Sequence, residues 1–236
     1  MSRRGTMPLW VVALGWGLVL PSWGDGFENL LNSETTLVFV PITDTLPYRT
    51  TMASLSWVND RNVSTFPILG VLHSPAPNAE VGVGYGSADP QGPGTWNQWH
   101  LVGKYRFAEE RGTQPALALE ARYQDADWGK GWGVHLLGSL RLNRPEAGYL
   151  LRGHALLGWQ RWTGNVSDFV PALGLQYLHP KGWEVALEYV FKNDPMRSDS
   201  LAVGLRYAFR PQWDLNLGAG DDGRVFAGVR YFLAPP

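Results

Sequence analysis

The chain has 236 residues, of which 44% are hydrophobic and 17% charged, with 28 glycines, 12 tryptophans and no cysteine. Soluble domains usually carry about 25% charged residues, so this composition favours a protein with a large apolar surface. The formal charge of −1 at pH 7 excludes the basic surface that nucleic-acid binding needs. The lack of cysteine excludes disulfide bonds.

Residues 1–24 have the features of a secretory signal peptide. Arg3 and Arg4 precede an apolar run over residues 8–20, and Ser22 and Gly24 supply the small residues of a cleavage site. The run is too short to span a bilayer, which takes about 18 or more apolar residues, and no later segment is longer. We therefore expect export of a mature chain that begins near residue 25.

Residues 25–47 alternate little in polarity, apart from residues 36–42. We interpret this segment as a periplasmic lead-in or as an extra short strand. Residues 234–236 form a short C-terminal tail.

Between residues 48 and 233, runs of 8 to 13 residues alternate between apolar and polar side chains. In the run 183–192, for example, the odd positions are large and apolar, whereas the even positions include Glu184, Glu188 and Lys192. A period of two is typical of a strand that separates two unlike environments. Turn-forming residues interrupt the alternation at 59–62, 74–78, 88–95, 109–114, 125–130, 143–147, 161–167, 179–181, 193–197, 210–211 and 220–223. These eleven breaks predict twelve strands, with ten or fourteen as alternatives.

The alternation does not by itself distinguish a membrane barrel from a soluble one, but the side-chain types do. The apolar face is rich in Trp, Leu, Tyr and Phe, with aromatic residues near the strand ends, as membrane interfaces favour. The other face mixes charge with small residues, as Gly204 and Arg206 illustrate. Together with the export signal, this pattern predicts a single all-β, antiparallel, up-and-down transmembrane β-barrel in the bacterial outer membrane. Its first partner is the lipid bilayer.

Loop length should orient such a barrel, because periplasmic turns are short and external loops are longer. With the C-terminus in the periplasm, the breaks at 210–211, 179–181 and 143–147 lie on the periplasmic side. We expect the connections at the opposite end to be mostly longer.

Three segments resemble a known family: residues 101–107 (LVGKYRF), 202–209 (AVGLRYAF) and 225–232 (VFAGVRYF). They are similar to bacterial outer-membrane β-barrels of the meta-pathway phenol-degradation family, which are transporter-like. The likeness covers roughly residues 96–233. It implies passage of small solutes, among them aromatic or hydrophobic ones.

Thirteen polar side chains fall at inward positions and are candidates for lining the lumen and selecting solutes. They are Lys104, Arg106, Glu120, Arg122, His135, Arg141, Arg152, His154, Glu184, Glu188, Arg206, Asp214 and Arg230. Across the last hairpins we expect Arg206 beside Asp214, Glu188 near Arg206, and Arg230 near Asp214.

The distribution of these charges supports two interpretations. The carboxylates concentrate on one wall and the guanidinium groups on the other, which would give a transverse field that orients or selects solutes. Alternatively, the charges pair with one another and plug the interior. Twelve strands lie between the eight of a filled barrel and the sixteen of an open porin, so we expect a narrow, selective, passive channel.

One group of inward residues has the parts of a catalytic site. Glu120, His135 and Ser139, with His154 one strand further, are the parts of an acyl-transfer triad. However, His135 and Ser139 are four residues apart on one strand, about 13 Å by strand rise, which is too far for proton transfer. No G-x-S-x-G motif is present. We expect no enzyme activity, no cofactor and no metal site.

The sequence therefore predicts a channel or uptake barrel for a small solute. The first alternative is a plugged structural or adhesion barrel, and the second is a lipid-modifying enzyme. Association between copies of the chain is left open.

Overall fold

The computed structural model describes residues 43, 45–46, 48–60, 63–90, 95–127, 129–144, 147–163, 167–191, 200–210, 212–221, 223 and 225–233. The predicted signal peptide, the segment 36–42 and the tail 234–236 lie outside these residues. No helix in the described part of the chain is long and apolar enough to cross a membrane.

The fold is a closed barrel of twelve antiparallel strands, each paired with its neighbours in the sequence. The strands are β1 (Thr51–Asp60), β2 (Val63–Ala76), β3 (Ala79–Pro90), β4 (Trp96–Ala108), β5 (Ala116–Ala126), β6 (Gly129–Arg141), β7 (Leu150–Trp162), β8 (Ser167–His179), β9 (Trp183–Val190), β10 (Ser200–Arg210), β11 (Trp213–Gly220) and β12 (Val225–Leu233). The prediction of an all-β barrel with twelve strands is confirmed. Every connection between strands falls at one of the eleven breaks seen in the sequence.

The first and last strands pair with each other and close the cylinder. Thr51 lies opposite Leu233, and the register runs without a shift to Asn59 opposite Val225. Closure is a physical requirement in a bilayer, because an open sheet edge would leave backbone amides without hydrogen-bond partners in hydrocarbon. The two termini of the barrel therefore lie at the same end, which we call the terminal end.

The connections do not differ in length between the two ends as expected. Five connections at the terminal end contain 2, 7, 8, 3 and 2 residues, and six at the opposite end contain 2, 5, 2, 4, 9 and 4. The expectation of mostly longer loops opposite the terminal end is wrong. Two connections at the terminal end, residues 109–115 and 142–149, are long, and the first returns Glu110 to the barrel wall.

Large apolar side chains cover the outside of the barrel. Leu101, Leu157, Leu173 and Val203 are about half exposed at the middle of their strands. Aromatic rings group toward both ends of the wall, for example Trp213 with Tyr231 at the terminal end, and Trp132 with Trp159 at the opposite end. This distribution matches the apolar band and aromatic girdles of a membrane barrel.

Candidate functional site

The interior of the barrel holds the polar side chains that the sequence placed there. Ten of the thirteen candidates are buried from solvent, and Arg122 is nearly so. The ten are Lys104, Glu120, His135, Arg152, His154, Glu184, Glu188, Arg206, Asp214 and Arg230. Arg106 and Arg141 are half-buried near the terminal end. All thirteen lie on the strand face opposite to the exposed Leu, Tyr and Trp rows. Their role in solute selection remains a prediction.

Ion pairs link most of these side chains along the wall. Arg230 binds both carboxylate oxygens of Asp214, at 2.7 Å from Nε and 2.6 Å from Nη2. Arg206 pairs with Glu184, and Arg122 pairs with Glu120. Because each pair is shielded from water, its stability depends on both partners being present.

Two of the expected neighbours are replaced by others. The register sets Arg206 opposite Glu184 and Asn216, so its carboxylate partner is Glu184 and not Glu188. Glu188 lies opposite Ala202 and Gly174. Asn216 lies directly opposite Arg206 on β11, so Asp214, two residues away on the same strand, is only a diagonal neighbour. The expected approach of Arg230 to Asp214 is observed.

Two carboxylates that the sequence analysis did not select change the charge pattern of the interior. Glu80 Oε1 lies 2.7 Å from Lys104 Nζ, and Glu110 Oε2 lies 3.1 Å from Arg152 Nη2. Glu80 has the inward parity of its strand and could have been found by extending the alternation of β3. Glu110 belongs to a loop, which carries no such signal. These acids reduce the net positive charge of the wall that carries Lys104, Arg122 and Arg152. The transverse field remains a prediction.

A chain of hydrogen bonds crosses four strands of the interior. Ser139 Oγ lies 2.8 Å from His154 Nδ1, His154 Nε2 lies 3.0 Å from Gln176 Oε1, and Gln176 Nε2 donates to Glu184 over 3.0 Å. An ionised Glu184 can only accept, so the Gln176 amide must present its oxygen to His154. His154 then carries its proton on Nε2, and the Ser139 hydroxyl donates to Nδ1.

This chain revises the candidate triad. Ser139 pairs with His154, which lies directly opposite on β7, while His135 Nδ1 lies 3.3 Å from Glu120 Oε1 on β5. The distance argument against proton transfer between His135 and Ser139 therefore stands, but it does not extend to His154, which contacts Ser139. Ser139 also accepts a backbone hydrogen bond from Thr43 at 3.3 Å and is buried, so in this conformation its hydroxyl is engaged on both sides.

The interior also contains an apolar cluster that the sequence analysis did not anticipate. It comprises Ala118, Leu137, Leu156, Ala172 and Val190, with Val170 packed against it. On β6 and β7 the alternation is blurred because Leu136 and Leu137, like Leu156 and Leu157, are apolar on both faces. Leu137 lies between His135 and Ser139 on one strand face, so apolar and hydrogen-bonding surfaces adjoin.

The segment before β1 enters the barrel. We call residues 43–46 the luminal strap, of which residue 44 lies outside the described residues. Thr43 and Leu46 are 0% and 1% exposed. The Leu46 amide donates to Glu80 Oε2 over 3.2 Å, and the Thr43 amide reaches Ser139 on β6. Since β6 lies five strands from β1 around the barrel, the strap crosses the lumen near the terminal end.

In the described part of the chain, no three His, Asp or Glu side chains are grouped so that they could hold a metal ion.

No family model and no curated protein sequence matches the chain. Among solved structures, it is similar to the KdgM porin, with a TM-score of 0.58 and 13% identity over 76% of this chain and 98% of that one. An outer-membrane channel from Pseudomonas putida F1 gives a TM-score of 0.53 and 11% identity over 81% and 98%. The outer-membrane protein Omp33 of Acinetobacter baumannii gives 0.50 and 10% over 80% and 98%. The KdgM porin has also been solved in complex with disordered oligogalacturonate.

These similarities establish the fold, which is that of bacterial outer-membrane β-barrels. With the apolar exterior and closed hydrogen-bonding pattern described above, the chain is a transmembrane barrel of the outer membrane.

Proposed function

We propose that the protein is an outer-membrane channel for small solutes that is closed, in the conformation described, by the luminal strap. The carrying observation is that polar side chains line β4 to β7 along most of the lumen, where they remain accessible once the strap is displaced. They run from Arg152 and Lys104 near the terminal end, through Glu120 and His135, to Gln98, Gln124 and Gln160 near the other end. Such a lining offers a solute exchangeable hydrogen bonds along its path.

The solute that fits this interior has an apolar body and a polar group. The cluster around Leu137 and Leu156 offers an apolar surface, and His135, Ser139 and His154 flank it. A small aromatic or hydrophobic compound with a polar substituent would satisfy both surfaces. This proposal agrees with the solutes implied by the resemblance to the phenol-degradation family, to which we propose the chain is related.

The strap holds the passage closed through few bonds. Its backbone amides donate to Ser139 and Glu80. Each such hydrogen bond contributes about 0.5–1.5 kcal/mol net, or about 1.5–3 kcal/mol where the acceptor is charged. The strap can therefore be displaced without unfolding the barrel wall, which is held by twelve strand pairings.

Planar-bilayer recording in potassium chloride tests the channel and its closure together. The chain has no cysteine, so the double substitution Thr43→Cys with Ser139→Cys introduces the only thiols. We expect discrete current steps from the reduced protein and silence after the two thiols are oxidised to a disulfide. The single variant Thr43→Cys, treated with the same oxidant, controls for effects of oxidation alone.

Different results would contradict the closure by the strap and the existence of the channel. Equal conductance of the reduced and oxidised double variant, with the disulfide verified by mass spectrometry, would show a channel that the strap does not close. Silence of both forms at every voltage would overturn the channel itself. That result would favour the second candidate, a plugged barrel, which the paired interior charges support.

A further inference from the structure

The terminal end of the barrel carries a ring of exposed cations that the channel does not use. They are Arg49 before β1, Arg111 between β4 and β5, Arg144 between β6 and β7, Lys181 between β8 and β9, and Arg210 at the end of β10. Successive members are separated by two to four strands, so the ring surrounds the barrel. Glu109 is the exposed carboxylate among the described residues of this end.

The ring differs from the opposite end in how its charges are satisfied. None of the five side chains forms an ion pair within the described residues. At the opposite end the exposed Lys130 lies 2.8 Å from Asp125, which neutralises it locally. Among the described residues, the exposed side chains of the terminal end therefore carry a net positive charge.

Aromatic side chains lie next to three of the five cations in the sequence. Arg49 stacks over the ring of Tyr48 at 4.9 Å, Arg210 directly follows the exposed Phe209, and Lys181 is two residues from Trp183. Aromatic side chains of barrels occupy the boundary between hydrocarbon and headgroups. Cations placed just beyond such a girdle reach the phosphate layer, where each Lys or Arg is attracted by anionic lipid.

We propose that this ring binds the phosphate groups of anionic phospholipids in the leaflet at the terminal end. Guanidinium groups match phosphate oxygens in geometry and charge, and four of the five cations are arginines. The lipids surround the outside of the barrel, whereas the strap and the polar lining lie inside it. The inference therefore stands or falls independently of solute passage.

Unfolding in vesicles of two compositions tests the inference. The full chain is folded into phosphatidylcholine vesicles with or without phosphatidylglycerol, and the urea midpoint is followed by tryptophan fluorescence. We expect phosphatidylglycerol to raise the midpoint at low salt and high salt to abolish the rise, because exposed charges are screened. Replacing all five ring cations with Gln removes most of the rise. The control, Lys130→Gln with Arg161→Gln, replaces two exposed cations of the opposite end and retains the rise.

Each contrary result overturns the inference. An unchanged wild-type midpoint would show that the barrel does not recognise anionic lipid. An equal loss in the control variant would show that the effect is not located at the terminal end. A rise reproduced in phosphatidylcholine by inorganic phosphate would assign the ring to free phosphate and not to lipid. If the five-fold variant does not fold, Lys181→Gln with Arg210→Gln replaces it, with a partial loss expected.

Discussion

Asp214 and Arg230 form a fully buried, bidentate ion pair on neighbouring strands. Removing one member leaves the other charged and out of contact with water, which is more costly than losing both. The pair therefore shows how the interior depends on matched charges.

We expect Asp214→Asn to lower the free energy of unfolding by about 3–5 kcal/mol, because Arg230 keeps its charge and loses its carboxylate. Urea unfolding in detergent micelles measures the change. Asp125→Asn, which affects the exposed pair with Lys130, is the control and leaves the midpoint unchanged. Similar midpoints for the two variants would show that water reaches Asp214.

For single residues, the sequence predicts which face of a strand a side chain occupies better than it predicts the partner that the side chain contacts. Parity along a strand places Glu184 and Arg206 on the inner face, because successive side chains alternate. The partner of each depends on the register between strands, which sets Arg206 opposite Glu184 on β9 and Asn216 on β11. For the same reason the alternation of β6 places Ser139 and His135 on one face, but it does not show that His154 lies directly opposite Ser139 on β7.

Among the strands, β9 shows the two faces most clearly. Leu187 is exposed and lies between Leu175 and Val203 on the outer surface. Glu188 is buried, with the small residues Ala202 and Gly174 opposite it. Adjacent residues of one strand thus meet lipid and lumen.

We expect Leu187→Arg to cost about 2–4 kcal/mol and to impair assembly, since it places a cation against hydrocarbon at mid-strand. Glu188→Gln, which keeps the shape of the side chain on the inner face, folds normally and changes only ion selectivity. The yield of folded protein in lipid vesicles compares the folding of the two variants. Equal yields would contradict the assignment of the two faces.

The strands themselves were predictable, because alternation and turn residues are local signals. The luminal strap was not, because Thr43 and Leu46 are held by contacts with β6 and β3, far away in the sequence. Nothing in residues 43–46 alone distinguishes a segment inside the barrel from one outside it. Loop lengths likewise did not identify the two ends of the barrel. The long connection that contains Glu110 lies at the terminal end, where Glu110 accepts hydrogen bonds from Arg141 and Arg152.

In the molecule as a whole, closure of the barrel and the apolar exterior have the same cause. Hydrocarbon offers no hydrogen bonds, so every strand edge must be paired and every outer side chain must be compatible with acyl chains. The interior is then free to hold ion pairs, the Ser139 to Glu184 hydrogen-bond chain and the strap. A soluble barrel with the same alternation would reverse the two faces.

Quenching of tryptophan fluorescence by brominated lipid tests this arrangement most directly. Trp99, Trp132, Trp159 and Trp213 are exposed on the outer wall. In vesicles with brominated acyl chains we expect the folded protein to lose much of the emission that it shows in the same vesicles without bromine. Equal emission in both would mean that these rings do not contact acyl chains, and would contradict the transmembrane barrel.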